Sequence, residues 1–400
     1  MTNTAILALA GLLLIAYLAD IFGRRFRIPS VVILIATGMA LRPILDASGA
    51  ERGWLEPAVP IIGTIGLILI VLEGALDLEL RRERTRLIAV SFASAFIGFV
   101  VCAAAFTWLL YRVAGLDVFR ATLAALPFAV ISSAIAIPSA AALAPRAREF
   151  VVYESSISDI LGVLVFYAWL DSGGSIGWFE AGLGIGLIGS ILVALVAAVG
   201  LYALLNRMRG HVRFVPLLAA IAFVYACGKA VHLSPLVVVL AGGLLLNNPQ
   251  LLSRVPNLRR LHTPAYDGTL REFKSLVAEL TFATKSLFFV LLGYWTDLAH
   301  MADPRAWLVA GSMIAIIYAT RLVLLMALRQ PAVERLVWIA PRGLITVLLY
   351  LTAAGGTDLT ASPFGAVMLV VLATSLLVLQ AKRPGALAGP TALDRPPAAP

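Results

Sequence analysis

The chain has 400 residues, of which 61% are hydrophobic and 13% charged. Soluble globular domains carry about 45–50% apolar and about 25% charged residues, so a secreted, cytosolic or nuclear protein is excluded and the surplus apolar surface has to face lipid. The net charge of +9 reads as loop topology signals rather than a nucleic-acid surface, and Cys102 and Cys227, both in apolar runs, supply neither a disulfide framework nor a metal site.

Apolar windows of about 19 residues give about thirteen spans. They fall at 4–22, 29–45, 58–76, 86–113, 118–144, 150–171, 180–206, 213–231, 233–247, 275–298, 305–328, 332–352 and 362–381. The first lacks a basic leader and a clear cleavage site, so it reads as a retained span. Arginine clusters such as Arg24, Arg25 and Arg27, Arg81 to Arg86, and Arg207 to Arg213 fall on one side under strict alternation. The positive-inside rule then predicts an external N-terminus and a cytoplasmic C-terminus. The loop over 248–273 is cytoplasmic, and the Pro- and Ala-rich tail after Lys382 reads as disordered. The expectation is an all-α polytopic membrane protein, multi-pass in the cell (inner) membrane.

Ionisable residues at membrane depth are costly and mark function by default. Glu73 and Glu279 lie near cytoplasmic span ends, where an interface or a loop arginine can hold them. Lys285, Arg321 and Arg342 are the basic residues left inside spans. Asp159 is about 13 Å into its span and too short to snorkel out, so it faces protein or water. Ser155 lies four residues before it on one helix face, and Ser158 adjoins it. Such oxygens suit an alkali cation; back-bonding of the serines to helix carbonyls is the ordinary alternative. Glu154 and Arg321 reach a common layer from opposite directions, which predicts a buried ion pair that orients Asp159 without binding the ion.

Two spans are interrupted. The fifth carries Pro127 and Pro138 around Ser132 and Ser133, and the twelfth carries Pro341-Arg342-Gly343. Proline frees a helix carbonyl. Broken helices at corresponding places in two halves point to a transporter site. The two breaks correspond if spans 1–6 repeat, inverted, as 8–13.

At these residues the chain resembles the monovalent cation:proton antiporter superfamily, over almost the whole membrane part. Glu154-Ser155-Ser156-Ile157-Ser158-Asp159 resembles the family's Glu-x-x-x-Asn-Asp motif in the sixth span. Arg321 matches the arginine of the eleventh span, Arg342-Gly343 the Arg-Gly pair of the twelfth, and Leu287 to Gly293 the tenth. Ser132-Ser133-Ala134 replaces the usual Thr-Asp-Pro, more like the potassium-efflux branch, and Ser158 replaces the residue before the key aspartate.

The resemblance implies two broken, crossing helices and a homodimer. Scaffold helices would occupy 1–76 and 207–298, and a mobile core 77–171 and 299–381. A linker helix would fill 172–206, leaving the tail at 382–400. It implies a secondary antiporter exchanging Na⁺, K⁺ or Li⁺ for H⁺, in which Asp159 takes a proton or a cation, never both. Ser155, Ser158, Ser132 and Ser133 are the further candidate ligands, with Arg342, Lys285 and Glu73 as accessory charges. Exchange is expected to be electroneutral. No cofactor or nucleic acid is expected; the partners are lipid, the transported ions and a second copy. Other readings are a potassium-efflux or channel-like system, an intramembrane hydrolase and a membrane sensor, which lacks an output domain.

Overall fold

Apolar runs of this length fold as helix because lipid offers the backbone no hydrogen bonds, so each segment must satisfy its own. The computed structural model describes residues 2–26, 28–47, 58–80, 82–181, 184, 187–207, 214–230, 235–252, 264–296, 298–356 and 364–382. The tail beyond Lys382, and residues 253–263 of the loop placed at 248–273, lie outside them.

The chain opens with α1 (Thr2–Phe26), α2 (Ser30–Ala47), α3 (Ala58–Asp77) and α4 (Thr85–Val113). The fifth span is split into α5 (Val118–Ala129) and α6 (Ser133–Ser139), followed by α7 (Pro145–Ser172), the short α8 (Ile176–Ala181), α9 (Leu187–Arg207) and α10 (Phe214–Ala230). Next come α11 (Pro235–Asn247), a single turn α12 (Pro249–Leu252), α13 (Pro264–Trp295), a short α14 (Leu298–Ala302) and α15 (Pro304–Ala327). The twelfth span is split into α16 (Val333–Leu336) and α17 (Leu344–Gly356), and α18 (Phe364–Leu377) closes the order. These elements account for the thirteen predicted spans, two of them broken.

Helix ends follow local chemistry. The Asp117 carboxylate accepts from the Arg120 N–H at 3.0 Å to start α5, and Asp303 accepts from Arg305 at 2.9 Å to start α15. Pro145 opens α7, where its missing N–H costs nothing, and Gly173 closes it with φ +58°. Among the described residues, two helices start well before the spans read from sequence. α7 begins at Pro145 rather than 150, and α13 at Pro264 rather than 275. Both extra turns are polar, so an apolar window stops short of them. Asp159 therefore sits midway along α7, about 21 Å from Pro145.

Two sets of helices pack among themselves. α2, α3, α11 and α13 interlock; a Cβ on Gly38 of α2 or on Gly293 of α13 would overlap the backbone of the other helix. α4, α5, α6 and α7 form a second set, with α15, α17 and α18. α7 packs broadly on α4, α5 and α6 and only lightly on α3 and α11. Large apolar side chains such as Phe92, Phe96, Trp108 and Trp307 remain exposed on α4 and α15, as lipid-facing surface requires.

Candidate functional site

The site forms where the two breaks meet. Pro127 cannot donate to the Leu123 carbonyl, and three residues later the backbone turns extended, with ψ of 131° at Val130 and 116° at Ser132. The second break runs through residues 337–343 between α16 and α17. The two cross: the Ser132 N–H donates to the Pro341 carbonyl at 2.9 Å. The crossing is close enough to require glycine at 343, where a Cβ would lie 2.5 Å from the Ser132 Oγ. Gly162 plays the same part on α7, since a Cβ there would overlap Val130.

α7 runs past this crossing and is stitched to it by two hydrogen bonds. The Ile131 N–H donates to the Ser158 Oγ at 2.9 Å, and the Ser133 N–H donates to the Asp159 Oδ2 at 3.2 Å. Both donors are groups that a continuous helix would have used internally. Asp159 is 6% exposed, and its second oxygen, Oδ1, has no hydrogen-bond partner among the described residues. A buried carboxylate oxygen with a free lone pair is available to a proton or a metal cation.

The serines divide. Ser133 meets the carboxylate, Ser132 serves the crossing and Ser158 holds the first break. Ser155 donates back to the Val151 carbonyl at 2.7 Å, the ordinary behaviour of a helical serine. Ser156, which the sequence reading passed over, is buried three residues before Asp159 with its hydroxyl unpartnered. Positions three and four before a residue both share its helix face, so spacing alone could not choose between them.

One turn below Asp159, Glu154 is clasped by Arg321 of α15. Nη1 donates to Oε1 at 3.0 Å and Nη2 to Oε2 at 2.9 Å, with both side chains buried. Arg321 Nε donates to the Leu336 carbonyl at 2.9 Å, closing the end of α16. The Ser94 hydroxyl of α4 donates to Glu154 Oε1 at 2.5 Å. Ser94 was absent from the sequence-derived set; its signal was a pair with Ser91, three apart on one face of an otherwise apolar span.

Arg342 lies fully buried in the second break. Its backbone N–H donates to the Thr374 Oγ1 at 3.0 Å and Nη1 to the Ala340 carbonyl at 3.4 Å, while Nε has no partner. Its side chain lies among Cys102, Tyr318, Arg321 and Glu154. Lys285 and Glu73 are elsewhere, on the facing surfaces of α13 and α3. Glu73 meets Thr281 and Lys285 rather than the loop arginine considered from sequence. The Lys285 Nζ also lies 6.0 Å from the Phe282 ring centroid.

On the arginine-rich side a cleft of about 320 Å³ opens between the end of α3 and α7, lined by Asp77, Glu79, Arg84, Glu149, Val152 and Tyr153. Val152 and Asp159, seven apart, share one face of α7. The cleft thus ends about 10 Å below the carboxylate.

Comparison with known proteins supports the fold. A solved structure described as the sodium proton antiporter MjNhaP1 from Methanocaldococcus jannaschii at pH 8 is 19% identical, with a TM-score of 0.74, over 96% of this chain and 99% of that one. An electron-microscopy structure of the same protein is 21% identical, with a TM-score of 0.70, over 96% of each chain. Comparison with curated protein sequences returns no match. Residues 10–381 match the family described as sodium/hydrogen exchanger, transmembrane. With the match spanning nearly every helix and the breaks crossing at a buried carboxylate, the chain belongs to the sodium/hydrogen exchanger family.

Proposed function

We propose that this multi-pass membrane antiporter exchanges Na⁺ for H⁺ by letting the two compete for Asp159. The observation that carries the reading is the free Oδ1 of a buried carboxylate, set where two helix breaks cross. A proton on that oxygen removes the charge that attracts a cation, and a bound cation repels the proton, so neither leaves without admitting the other. Hydroxyl oxygens of Ser133 and Ser158, with that of Ser156 in preference to Ser155, would complete a hard-cation shell. Ser132 holds the crossing that places them. Glu154 and Arg321 fix α7 against α15, and Arg342 supplies a permanent positive charge beside them.

In this reading residues 77–171 and 299–381 move as a core against a scaffold formed by 1–76 and 207–298, with 172–206 as linker. The scaffold carries the contact of a homodimer, the N-terminus is outside, and the cleft beneath Asp159 opens to the cytoplasm. The conservative variant Asp159→Asn keeps the shape but cannot cycle a proton. In liposomes carrying a pH dye it is expected to lose Na⁺-driven proton flux while melting like the parent. Flux retained at the parent's rate would overturn the assignment.

A further inference from the structure

α11 ends on two asparagines, Asn247 and Asn248, and both turn inward rather than to solvent. The Asn248 Nδ2 donates to the Leu244 and Leu78 carbonyls, each at 2.8 Å, and its Oδ1 accepts from the Leu80 N–H at 2.6 Å. The Asn247 Nδ2 donates to the same Leu78 carbonyl at 2.9 Å. The strand of chain after α3, residues 78–80, is thereby clamped to α11. α11 is in turn tied to α13, whose Tyr266 hydroxyl donates to the Leu246 carbonyl at 2.6 Å. Between the two clamped ends of that strand, the Glu79 carbonyl faces the other way. It accepts at 2.6 Å from the hydroxyl of Tyr153 on α7, a residue 4% exposed and six positions before Asp159.

We propose that Tyr153 is a positioning residue, a releasable latch that holds the Asp159 helix against the α3–α11–α13 block in the conformation with the cleft open. The proposal rests on the antiport reading above. Exchange at one buried carboxylate requires access from each side in turn, so α7 must shift against the helices beside it. Its packing on α3 and α11 is light, whereas its packing on α4, α5 and α6 is broad; the seam at α3 and α11 is the one able to slip. A single hydrogen bond to a backbone carbonyl suits this place. It fixes the register of α7 to a rigid acceptor, yet its net worth is small enough to break in every cycle. Arg84 lies against the same hydroxyl; a guanidinium only donates, so it can hold the phenol oxygen but cannot replace the carbonyl as acceptor.

The test reads the two conformations directly. Spin labels on Arg146→Cys of α7 and Gln250→Cys of α12, in a background with Cys102→Ser and Cys227→Ser, report the distance across the seam in nanodiscs at fixed pH and sodium. Tyr153→Phe is expected to shift the ratio of latched to unlatched distances about five-fold toward the unlatched, the factor carried by a hydrogen bond of about 1 kcal/mol. Asn248→Ala, which frees the acceptor strand and leaves Tyr153 in place, is expected to shift it the same way, and the double variant no further than the larger single shift. An unchanged ratio in Tyr153→Phe, a single distance throughout, or shifts that add would overturn the latch. Proton flux of the unmodified chain in liposomes is measured alongside. Its absence would count against the antiport reading, while the latch is decided by the distances.

Discussion

The Glu154–Arg321 pair lends itself to a quantitative test because both side chains are buried and held by several hydrogen bonds. Glu154 accepts two bonds from Arg321 and one from Ser94, and Arg321 donates a further one to the Leu336 carbonyl. Removing either partner strands the other as a buried charge, which costs about 3–5 kcal/mol. Arg321→Gln also leaves the end of α16 without its donor, adding about 1 kcal/mol. The double variant Glu154→Gln/Arg321→Gln strands no charge, so its loss should fall below that of either single variant rather than reach the sum. With an unfolding entropy of ~2.1 cal/mol/K per residue, a chain of this length loses roughly 1 °C of melting temperature per kcal/mol. In detergent, Glu154→Gln is expected to melt about 3–5 °C low and Arg321→Gln slightly lower. The coupling between them should be at least about 3 °C. Additive losses would refute the reasoning, because two groups in bidentate contact cannot be energetically independent.

Three further outcomes follow from the site. Because proton and cation share Asp159, the apparent KM for Na⁺ should rise as pH falls, approaching ten-fold per unit once the carboxyl is mostly protonated; initial-rate titrations at several pH values check this, and a KM flat across the acid limb would count against competition. Gly343→Ala places a methyl 2.5 Å from the Ser132 Oγ and should cost about 1–3 kcal/mol of overpacking with most transport lost, whereas Gly311→Ala, which meets no neighbour among the described residues, should leave both near parent values. Exchange should be electroneutral: proton flux under a potassium clamp should be insensitive to membrane potential, and a steady-state gradient that follows unequal ion counts would show otherwise.

What the chain discloses on its own depends on whether a signal is local. Asp159 announces itself because a short carboxylate deep in an apolar window has no innocent place to go. The two breaks are likewise local, written in Pro127 and in Pro341-Arg342-Gly343. Features made by distant contacts are silent until the fold is known. Ser94 belongs to Glu154 across sixty residues, and Asn248 belongs to the strand after α3 across about 170. Neither residue type is unusual where it stands. The polar starts of α7 and α13 are hidden for a different reason, since hydropathy measures what touches lipid, and a helix that continues into water changes composition without changing conformation. The arginine in Arg342-Gly343 is the reverse case. It is conspicuous in sequence, but its partners are not: its side chain lies among Cys102, Tyr318, Arg321 and Glu154, which come from three other helices.

That orientation bears on stoichiometry. In the proposed cycle Glu154 and Arg321 neutralise each other, Arg342 is a fixed positive charge and Asp159 takes the proton or the cation. An arginine keeps its proton under any physiological condition, so it offsets the ionised carboxylate without taking part in exchange. The core is then neutral while empty and carries one positive charge whether Asp159 holds a proton or a sodium ion. Both loaded forms cross the membrane field with equal charge, and the potential has no preference between the two directions of the cycle. A second titrating base beside Asp159 would break this symmetry. Lys285 is the basic residue at similar depth, but it faces Glu73 across α3 and α13, and the groups acting on Asp159 come from Ser133. In the proposed cycle the charge arithmetic gives one sodium ion against one proton.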